Sequence, residues 1–319
     1  MSGMKKNMYH MLSICLFMLL SVIALSGCAS PRTERPTEGT RLVTGDDGVE
    51  VRIPVKPTRV MTISAAYDTI LLGTMDTSRF SSVNSLVKYE GYSLEWEKAA
   101  RIKTQNSTYP LERIIRIKPD IVIATDYTTK DTVEALRGVG IPVVVVEMGR
   151  TVEGVISNVE RLAELVGEEE TGRRHAEAIR GQIEALNLAV KDIPAAARKR
   201  ILFVSSMDGY TGTNSLFDDM CRYMGIDNAP SASGYPPRTS FTDERVIEMN
   251  PDFIFIPSYG GMDKGLADRF LNTPAFSHMK VMRDGHVLPL KAAYLYTGNH
   301  HIGEAMTEIA KVVYPQYVK

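Results

Sequence analysis

Two stretches of the chain carry nearly the same pattern. Residues 112–120 read ERIIRIKPD and residues 244–252 read ERVIEMNPD, and each is followed by a short apolar run. Proline lacks an amide donor and disfavours helix in the residue before it, so each copy predicts a short helix ending at Lys118 or Asn250. The apolar run that follows suits a strand covered on both faces. A duplicated helix–Pro-Asp–strand unit indicates two similar lobes.

Strand and helix patterns alternate along the rest of the chain, which is typical of a mostly parallel sheet with helices on both faces. We expect a hairpin at residues 41–53, a loop at residues 228–240 and a strand–turn–strand at residues 281–288. Residues 168–191 contain no proline and place apolar side chains at helical spacing, which predicts one long helix. This helix either connects the two halves or belongs to one lobe. The expected boundaries are residues 41–167 for the N-terminal lobe, 168–191 for the connecting helix and 192–319 for the C-terminal lobe.

The first 27 residues have the pattern of an export signal. Lys5 and Lys6 precede a mostly apolar run at residues 11–25, which is shorter than the roughly 20 apolar residues of a transmembrane helix. The run ends in LSGC, which is similar to a bacterial lipoprotein signal. We expect cleavage before Cys28 and a lipid on its thiol, the alternative being an ordinary signal with an incidental cysteine. Residues 28–40 are polar and predict a flexible tether.

The charge and the cysteines exclude two classes of protein. The net charge of the 319-residue chain is −1, so it lacks the basic excess that a nucleic-acid partner requires. Cys15 lies in the signal and Cys28 would carry the lipid, which leaves Cys221. We therefore expect no disulfide and no cysteine-based metal site, and the apolar helical setting of Cys221 predicts a buried side chain.

Motifs for catalysis are absent from the sequence, which contains no Gly-x-Ser-x-Gly, no His-Glu-x-x-His and no Walker phosphate loop. His300 and His301, with Glu304, could ligate a metal. Adjacent residues of a helix point in different directions, so we expect this pair to chelate poorly and predict no metal site and no intrinsic cofactor. Glu112 and Glu244 fall in first helical turns, where the helix dipole favours an acid by about 0.3–1 kcal/mol. That preference does not explain why they are repeated.

An ordered set of motifs adds a resemblance. The motifs are KPTRV at residues 56–60, LERI at 111–114, KPD at 118–120, GTNS at 212–215, DERV at 243–246 and PD at 251–252. Together with the lipoprotein signal, they make nearly the whole mature chain resemble the helical-backbone class of substrate-binding lipoproteins of bacterial ABC importers. That class includes ferric-siderophore, haem and cobalamin binders. The resemblance implies an α/β fold in which two Rossmann-like lobes with mostly parallel sheets are joined by one long helix, with the ligand between them.

The same resemblance implies the partners. In that family one surface glutamate per lobe docks onto arginines of the membrane permease, and these glutamates match Glu112 and Glu244. The implied protein is a monomer that is exported and anchored to the outer face of the cell membrane through the lipid on Cys28. Its partners would be an ABC importer permease, with its ATPase subunits, and a small-molecule metal chelate.

The candidate ligand contacts lie in loops that should face the cleft, because ligands of such folds bind at the carboxyl ends of the strands. These loops hold many of the 14 tyrosines and a few basic residues, which suits a bulky and often anionic chelate. Each tyrosine taken alone could equally be an ordinary surface or lobe residue. The candidates are Tyr67, Lys88, Tyr89, Tyr109, Tyr127, Arg150, Tyr210, Tyr235, Arg238, Tyr259 and Tyr296.

We therefore expect a binding protein and not an enzyme. Its ligand would be an iron or cobalt chelate, with a ferric siderophore as first choice, a corrinoid such as cobalamin as second and haem as third. Haem binders of the family often carry Gly-Pro-Arg near the last helix, where this chain has Gly298-Asn299-His300. A lipid-anchored two-lobe enzyme is the alternative, and it would require a convergent acid–base or metal site.

Overall fold

The computed structural model describes residues 39–205, 211–237, 241–260 and 264–319. The export signal, Cys28 and nearly all of the tether lie outside these ranges. Within them, two lobes are each built on a parallel sheet, as the α/β expectation required. None of the described helices combines the length and the apolar character needed to cross a membrane.

The N-terminal lobe contains a parallel sheet of three strands in the order β3-β6-β7. An antiparallel hairpin, β1-β2, and a short parallel pair, β4-β5, complete its strands. Its elements are β1 Thr40–Thr44, β2 Glu50–Pro54, β3 Val60–Thr62, α1 Ala65–Thr74, β4 Val83–Asn84, α2 Trp96–Ala100, β5 Gln105–Asn106, α3 Leu111–Ile117, β6 Ile121–Thr125, α4 Lys130–Gly138, β7 Val143–Val146 and α5 Val152–Leu165.

The C-terminal lobe contains a parallel sheet of four strands in the order β11-β10-β8-β9. The lobes are joined by α6, and α5 and α13 pack along it. The remaining elements are α6 Glu169–Val190, β8 Arg200–Phe203, α7 Leu216–Tyr223, β9 Asp227–Asn228, α8 Ala229–Ala232, α9 Asp243–Met249, β10 Phe253–Ser258, α10 Lys264–Asn272, α11 Lys280–Arg283, β11 Val287–Lys291, α12 Ala292–Leu295 and α13 Ile302–Val313.

The connecting helix α6 has 22 residues and is about 33 Å long at 1.5 Å per residue. Its buried side chains recur at helical spacing, so one face packs on the core while the other is charged. The predicted long helix is confirmed to within one residue at each end. The buried positions are Gly172, Ala176, Ile179, Ile183, Leu186 and Val190.

The two repeat helices end in the same way. Lys118 follows α3 with φ 52°, and Asn250 follows α9 with φ 44°, so both residues adopt the left-handed conformation that terminates a helix. Proline comes next in both copies, and the strand begins two residues later, at Ile121 or Phe253. Both predicted helix ends are therefore confirmed.

The Pro-Asp aspartates fasten each repeat to the start of the first strand in the parallel sheet of its lobe, β3 or β8. Asp120 Oδ2 accepts hydrogen bonds from the backbone amides of Thr58 (2.7 Å) and Arg59 (3.0 Å). Asp252 Oδ2 accepts one from the backbone amide of Arg200 (3.0 Å).

Arg59 and Arg200, whose backbone amides bind these aspartates, also bond through their side chains to the ends of the repeat helices. Arg59 Nε donates to the carbonyl of Lys118 (2.8 Å), and Arg200 Nη1 donates to the carbonyl of Met249 (3.0 Å). Carbonyls at the end of a helix have no partner within the helix, so these arginines satisfy them. Each Arg–Asp pair thus joins the end of the repeat helix and the strand that follows it to the neighbouring strand.

Two expectations about the C-terminal lobe were wrong. The expected strand–turn–strand at residues 281–288 is a short helix, α11, followed by β11, which pairs in parallel with β10. Lys280 and Asp284 form an i,i+4 ion pair at 2.5 Å, which suits a helix, and Gly285 ends it with φ +71°. The expected loop at residues 228–240 contains the end of β9 and all of α8.

Candidate functional site

A cavity of about 570 Å³ lies between the two lobes, at the carboxyl ends of their parallel strands. The N-terminal lobe contributes the segments that follow β3, β6 and β7. The C-terminal lobe contributes the start of α7 and the segment after α12. The residues that line the cavity are Ile63, Ser64, Ala65, Ala66, Asn84, Leu86, Tyr92, Thr125, Tyr127, Met148, Gly149, Arg150, Thr213, Asn214, Ser215, Leu216, Pro237, Tyr296 and Gly298.

Two helices begin at the cavity, one in each lobe. Ser64 caps α1, where its Oγ accepts from the amide of Tyr67 (3.4 Å), and Ser215 caps α7, where its Oγ accepts from the amide of Asp218 (3.2 Å). A helix N-terminus carries a partial positive charge, equivalent to about half a unit. The cavity therefore favours a ligand with hydrogen-bond acceptors or an anionic group near these two ends.

Arg150 is the only charged side chain among the described residues that line the cavity. Its guanidinium lies over the ring of Tyr127, 5.6 Å from the ring centroid, and donates to Asp126. Hydrogen bonding to Tyr127 and to Asp126 raises the pKa of Arg150, so it stays cationic. Its side chain is 52% exposed, which leaves the guanidinium accessible from the cavity side.

A stack of three tyrosines lies beside the cavity, and two of them, Tyr92 and Tyr296, line it. The ring of Tyr259 lies 6.0 Å from that of Tyr92 and 6.4 Å from that of Tyr296, with interplanar angles of 16° and 20°. Tyr92 belongs to the N-terminal lobe and the other two to the C-terminal lobe, so the stack crosses the cleft. The hydroxyl of Tyr296 is hydrogen-bonded to that of Ser205 at 2.6 Å. Rings held this way present flat apolar faces to a ligand.

A buried carboxyl group supports the floor of the cavity. Asp68 is fully buried, and burial raises its pKa to about 8. Its Oδ2 accepts from the amide of Asn84 (2.6 Å), and its Oδ1 lies 2.8 Å from Thr62 Oγ1. Thr62 Oγ1 also lies 2.8 Å from the carbonyl of Ser64, and one hydroxyl proton cannot serve both acceptors. A protonated Asp68 that donates to Thr62 resolves this conflict.

Three of the candidate ligand contacts line the cavity, namely Tyr127, Arg150 and Tyr296. Two more support lining residues. The hydroxyl of Tyr109 accepts from Asn84 Nδ2 (2.8 Å), and Tyr259 lies inside the aromatic stack. Burial raises the pKa of Tyr109, so its hydroxyl stays neutral.

Four other candidates do not line the cavity. Tyr67 is 1% exposed, and its hydroxyl donates to the carbonyl of Val146 (3.0 Å), because the first turn of α1 turns this side chain towards β7. Tyr235 donates to Glu248 on the outer surface of the C-terminal lobe. Lys88 lies over the ring of Tyr89, and neither lines the cavity. Tyr210 and Arg238 lie outside the described residues.

The sequence reasoning did not identify several lining residues. Tyr92 belongs to an irregular region whose path no local pattern fixes, and Asn84 ends the short strand β4. Met148 lies two residues after β7, where a single apolar side chain carries no signal of a ligand site. Ser64 and Ser215 carried a usable signal, since each is an N-cap type directly after or near a predicted strand.

The repeated glutamates lie on the surface and do not line the cavity. Glu112 and Glu244 are both exposed, in the first turns of α3 and α9. Hydrogen bonds from its own backbone and from Thr242 lower the pKa of Glu244. Glu112 borders a surface hollow that Arg113 and Arg116 also line. Both carboxylates are thus available to a partner surface.

Comparisons with known proteins agree with this architecture. The chain is 22% identical over 317 residues to the ABC transporter substrate-binding lipoprotein YvrC of Bacillus subtilis (strain 168), which covers 95% of this chain and 96% of YvrC. It is 26% identical over 208 residues to the vitamin B12-binding protein of Vibrio campbellii (strain ATCC BAA-1116), covering 63% and 70%. The structure of molybdate-bound MolA of Haemophilus influenzae shares the fold, with a TM-score of 0.75, 19% identity and coverage of 87% and 92%. Residues 62–294 match the family model for periplasmic binding proteins, and the chain therefore belongs to the periplasmic binding protein family.

Proposed function

We propose that this protein is an extracytoplasmic binding protein that captures a metal chelate in the cleft and delivers it to an ABC importer. The observation that carries the proposal is the cavity itself, which combines about 570 Å³ of space with aromatic walls and two helix N-termini. Pockets of this size suit organic ligands rather than single ions. No acid–base pair or nucleophile converges on the cavity among the described residues, which supports binding over turnover.

The charge of the cavity favours a corrinoid over the other chelates. A corrin ring has broad apolar faces, a rim of amide groups and, in cobalamin, one phosphate. The tyrosine stack offers flat surfaces for the faces, and Ser64, Asn84, Thr213 and Ser215 offer polar groups for the rim. Arg150 and the helix N-termini match a single anionic group. The similarity to a vitamin B12-binding protein points the same way.

A ferric siderophore is the second candidate. The accessible guanidinium of Arg150 beside Tyr127 suits a carboxylate or catecholate group, and this contact is the observation in its favour. A siderophore complex of high negative charge would gain more from several cations than from one. Haem ranks third, because its two propionates would share one cation, Arg150, and because the chain has Gly298-Asn299-His300 where haem binders of the family often carry Gly-Pro-Arg.

A titration separates these ligands. Trp96, the only tryptophan, should report binding by fluorescence while visible absorption follows cobalamin, ferric siderophores and haemin. We expect tight, stoichiometric binding of cobalamin and no chemical change in the ligand. Tyr127→Ala should weaken binding about tenfold, since an aromatic pair is worth about 0.5–1.5 kcal/mol beyond the area it buries. Tyr317→Ala, an exposed tyrosine outside the cavity, is the matched control.

The outcomes decide between the candidates. Preferential binding of a ferric siderophore would replace the corrinoid, while binding that ignores Tyr127→Ala would place the ligand elsewhere. Turnover of any of these compounds by the purified protein would contradict the binding function and favour the enzyme alternative.

We also propose that Glu112 and Glu244 dock the protein onto arginines of the importer permease. Their equivalent positions on the two lobes and their exposure support this role. Charged contacts of this kind fix register and encounter more than affinity. Glu112→Ala with Glu244→Ala should abolish uptake and leave the affinity for the chelate unchanged. Glu134→Ala with Glu308→Ala, at two exposed or half-exposed acids outside the repeats, should leave uptake intact. Loss of chelate affinity in the variant that lacks Glu112 and Glu244 would instead assign these two glutamates to the cleft.

The lipid anchor completes the proposal. The LSGC sequence supports attachment of lipid to Cys28, and YvrC is a lipoprotein by name. Cys28→Ala should release the protein from the membrane fraction and abolish labelling by a fatty-acid probe. Membrane association that survives this substitution would contradict the anchor.

A further inference from the structure

A cluster of three ligating side chains joins the lobes outside the cleft. Glu95 Oε1 lies 3.1 Å from His300 Nε2 and 3.2 Å from His301 Nε2. The ligating atoms of all three residues lie within 4.8 Å of one another. Glu95 directly precedes α2 in the N-terminal lobe, whereas both histidines directly precede α13 in the C-terminal lobe. None of the three lines the cavity.

The two imidazoles converge because they do not lie on a helix. The helix α13 begins at Ile302, and His301 occupies its N-cap position with φ −91° and ψ 10°. Asn299 holds the turn, since its side chain accepts from the amide of His301 (3.0 Å) and its carbonyl from that of Ile302 (3.1 Å). The geometric reason against chelation by this pair was therefore wrong.

The hydrogen-bonding capacity of His301 is mismatched to its neighbours. Its Nε2 faces Glu95, and its Nδ1 lies 3.1 Å from Glu304 Oε2, so both nitrogens face carboxylate oxygens. A neutral imidazole has one N–H, and its other nitrogen would then turn a lone pair towards a carboxylate. A cation at Nε2, either a second proton or a metal ion, removes that repulsion and leaves Nδ1–H to donate to Glu304.

His300 is enclosed beside the same carboxylate. Its side chain is 4% exposed, and its Nε2 lies 3.1 Å from Glu95 Oε1. Its ring nitrogen is therefore held against Glu95 in a site that is largely closed to solvent.

We propose that Glu95, His300 and His301 bind one divalent transition-metal ion of the zinc type, and that this ion pins the two lobes together beside the cleft. Two imidazoles and one carboxylate are a ligand set that zinc accepts. Ligand atoms about 2.0–2.2 Å from a tetrahedral zinc stand about 3.4 Å apart, close to the separations of 3.1 and 3.2 Å found here. The fourth position is left for water.

The surroundings support the ligands as they do in metal sites. Lys98 Nζ lies 2.8 Å from Glu95 Oε2, which orients the carboxylate and leaves Oε1 for the metal. Glu304 orients His301 in the same way, and such outer contacts fix the ring and raise its basicity. Gly73 makes room for His300, because a Cβ there would lie 2.3 Å from its Nε2.

Metal titration of the full chain tests the site without any chelate in the cleft. The chain, freed of metal by a chelator, is titrated with Zn²⁺ by calorimetry and with Co²⁺ by visible absorption. We expect one equivalent of each to bind, with a cobalt spectrum of four-coordinate type and a higher melting temperature. Glu95→Gln and His301→Ala should each weaken binding at least tenfold. His278→Ala, an exposed histidine elsewhere, should bind as the parent does.

A further variant keeps the test decisive if a ligand substitution disturbs folding. Glu304→Gln leaves all three ligands in place and should weaken Zn²⁺ binding about tenfold through the His301 ring. Absence of a single strong equivalent, or equal affinity in the parent, Glu304→Gln and His301→Ala, would overturn the metal site. Because no chelate is present, failure here leaves the proposed cleft function untouched, and the cobalamin titration is decided separately.

Discussion

The two lobes are alike at the amino ends of their strands and different at the cleft. At the amino ends, Asp120 and Arg59 of the N-terminal lobe occupy the same kind of junction as Asp252 and Arg200 of the C-terminal lobe. At the cleft, the N-terminal lobe supplies Arg150 and a buried neutral acid, whereas the C-terminal lobe supplies polar loops and most of the tyrosine stack. The duplicated part therefore builds the fold, and the part that differs between the lobes surrounds the cleft.

The first helix of each lobe shows how far the likeness extends. Ser64 and Ser215 cap α1 and α7, and each helix has a buried aspartate in its first turns that holds an asparagine segment. Asp68 accepts a hydrogen bond from the backbone amide of Asn84, while Asp218 accepts one from the side-chain amide of Asn228 (2.8 Å). Asp218 also accepts from the amide of Asn214 (2.9 Å), so it faces donors, whereas Asp68 lies among groups that need a proton. The two aspartates are not at equivalent positions, since Asp68 is the fourth residue of α1 and Asp218 is the third residue of α7, and the groups around them differ accordingly.

Substitution of these two aspartates should produce the largest contrast between the lobes. The folded-state pKa of Asp68 is about 8, far above its ordinary value of 3.8, so folding takes up a proton between these pH values. Stability from this group is complete below about pH 4 and is lost as pH rises towards 8, by up to about 1.4 kcal/mol per pH unit. Asp68→Asn should flatten that slope and stabilise the protein at pH 8. Urea unfolding at pH 5 and pH 8 measures the effect.

Asp218→Asn is the matched substitution in the other lobe. An amide that faces the donors of Asn214 and Asn228 accepts fewer hydrogen bonds than a carboxyl group does, so we expect a loss of about 2 kcal/mol at both pH values. If Asp68→Asn destabilises the protein at pH 8 as Asp218→Asn does, the contrast between the two buried acids disappears.

The Pro-Asp aspartates allow the two lobes to be compared at the amino ends of their strands. Asp120 accepts from two backbone amides and from Thr58 Oγ1 (3.1 Å), whereas Asp252 accepts from one amide among the described residues. We expect Asp120→Ala to cost about 2–3 kcal/mol and Asp252→Ala about 1 kcal/mol. Denaturant midpoints compare the two, with Asp131→Ala, an exposed helical acid, as control. Equal losses would show that the extra bonds of Asp120 contribute little.

Local patterns predicted much of the scaffold. The repeat units, the hairpin and the long helix each carry signals within a few residues, such as proline after a helix or apolar spacing along it. The junction formed by Arg59 and Arg200 could not be predicted, because their partners lie about 60 and 50 residues away along the chain. The short helix α11 was missed because four residues show too little periodicity to separate helix from strand.

The site was predictable only where it follows a strand. Tyr127, Arg150 and Tyr296 follow strands or their continuation, and the carboxyl-end rule brought them to the cavity. Tyr92 takes its place by stacking on Tyr259, a contact between distant segments with no sequence signal. Whether the side chains of His300 and His301 converge depends on whether α13 begins at His301 or one residue later. Helix boundaries are the least reliable part of a sequence-based prediction.

The smallest expected contrast lies in the residues that end the repeat helices. Lys118 and Asn250 both have positive φ, and asparagine tolerates this conformation better than lysine does. Lys118→Gly should therefore raise stability by up to about 1 kcal/mol, and Asn250→Gly by only a few tenths. Thermal melts of the two variants beside the parent measure the difference. Ala178→Gly, at an exposed position inside α6, is a control that should lower stability by about 1 kcal/mol. A gain at Asn250 equal to that at Lys118 would mean that the strain belongs to the backbone of the repeat and not to the side chain that each lobe carries.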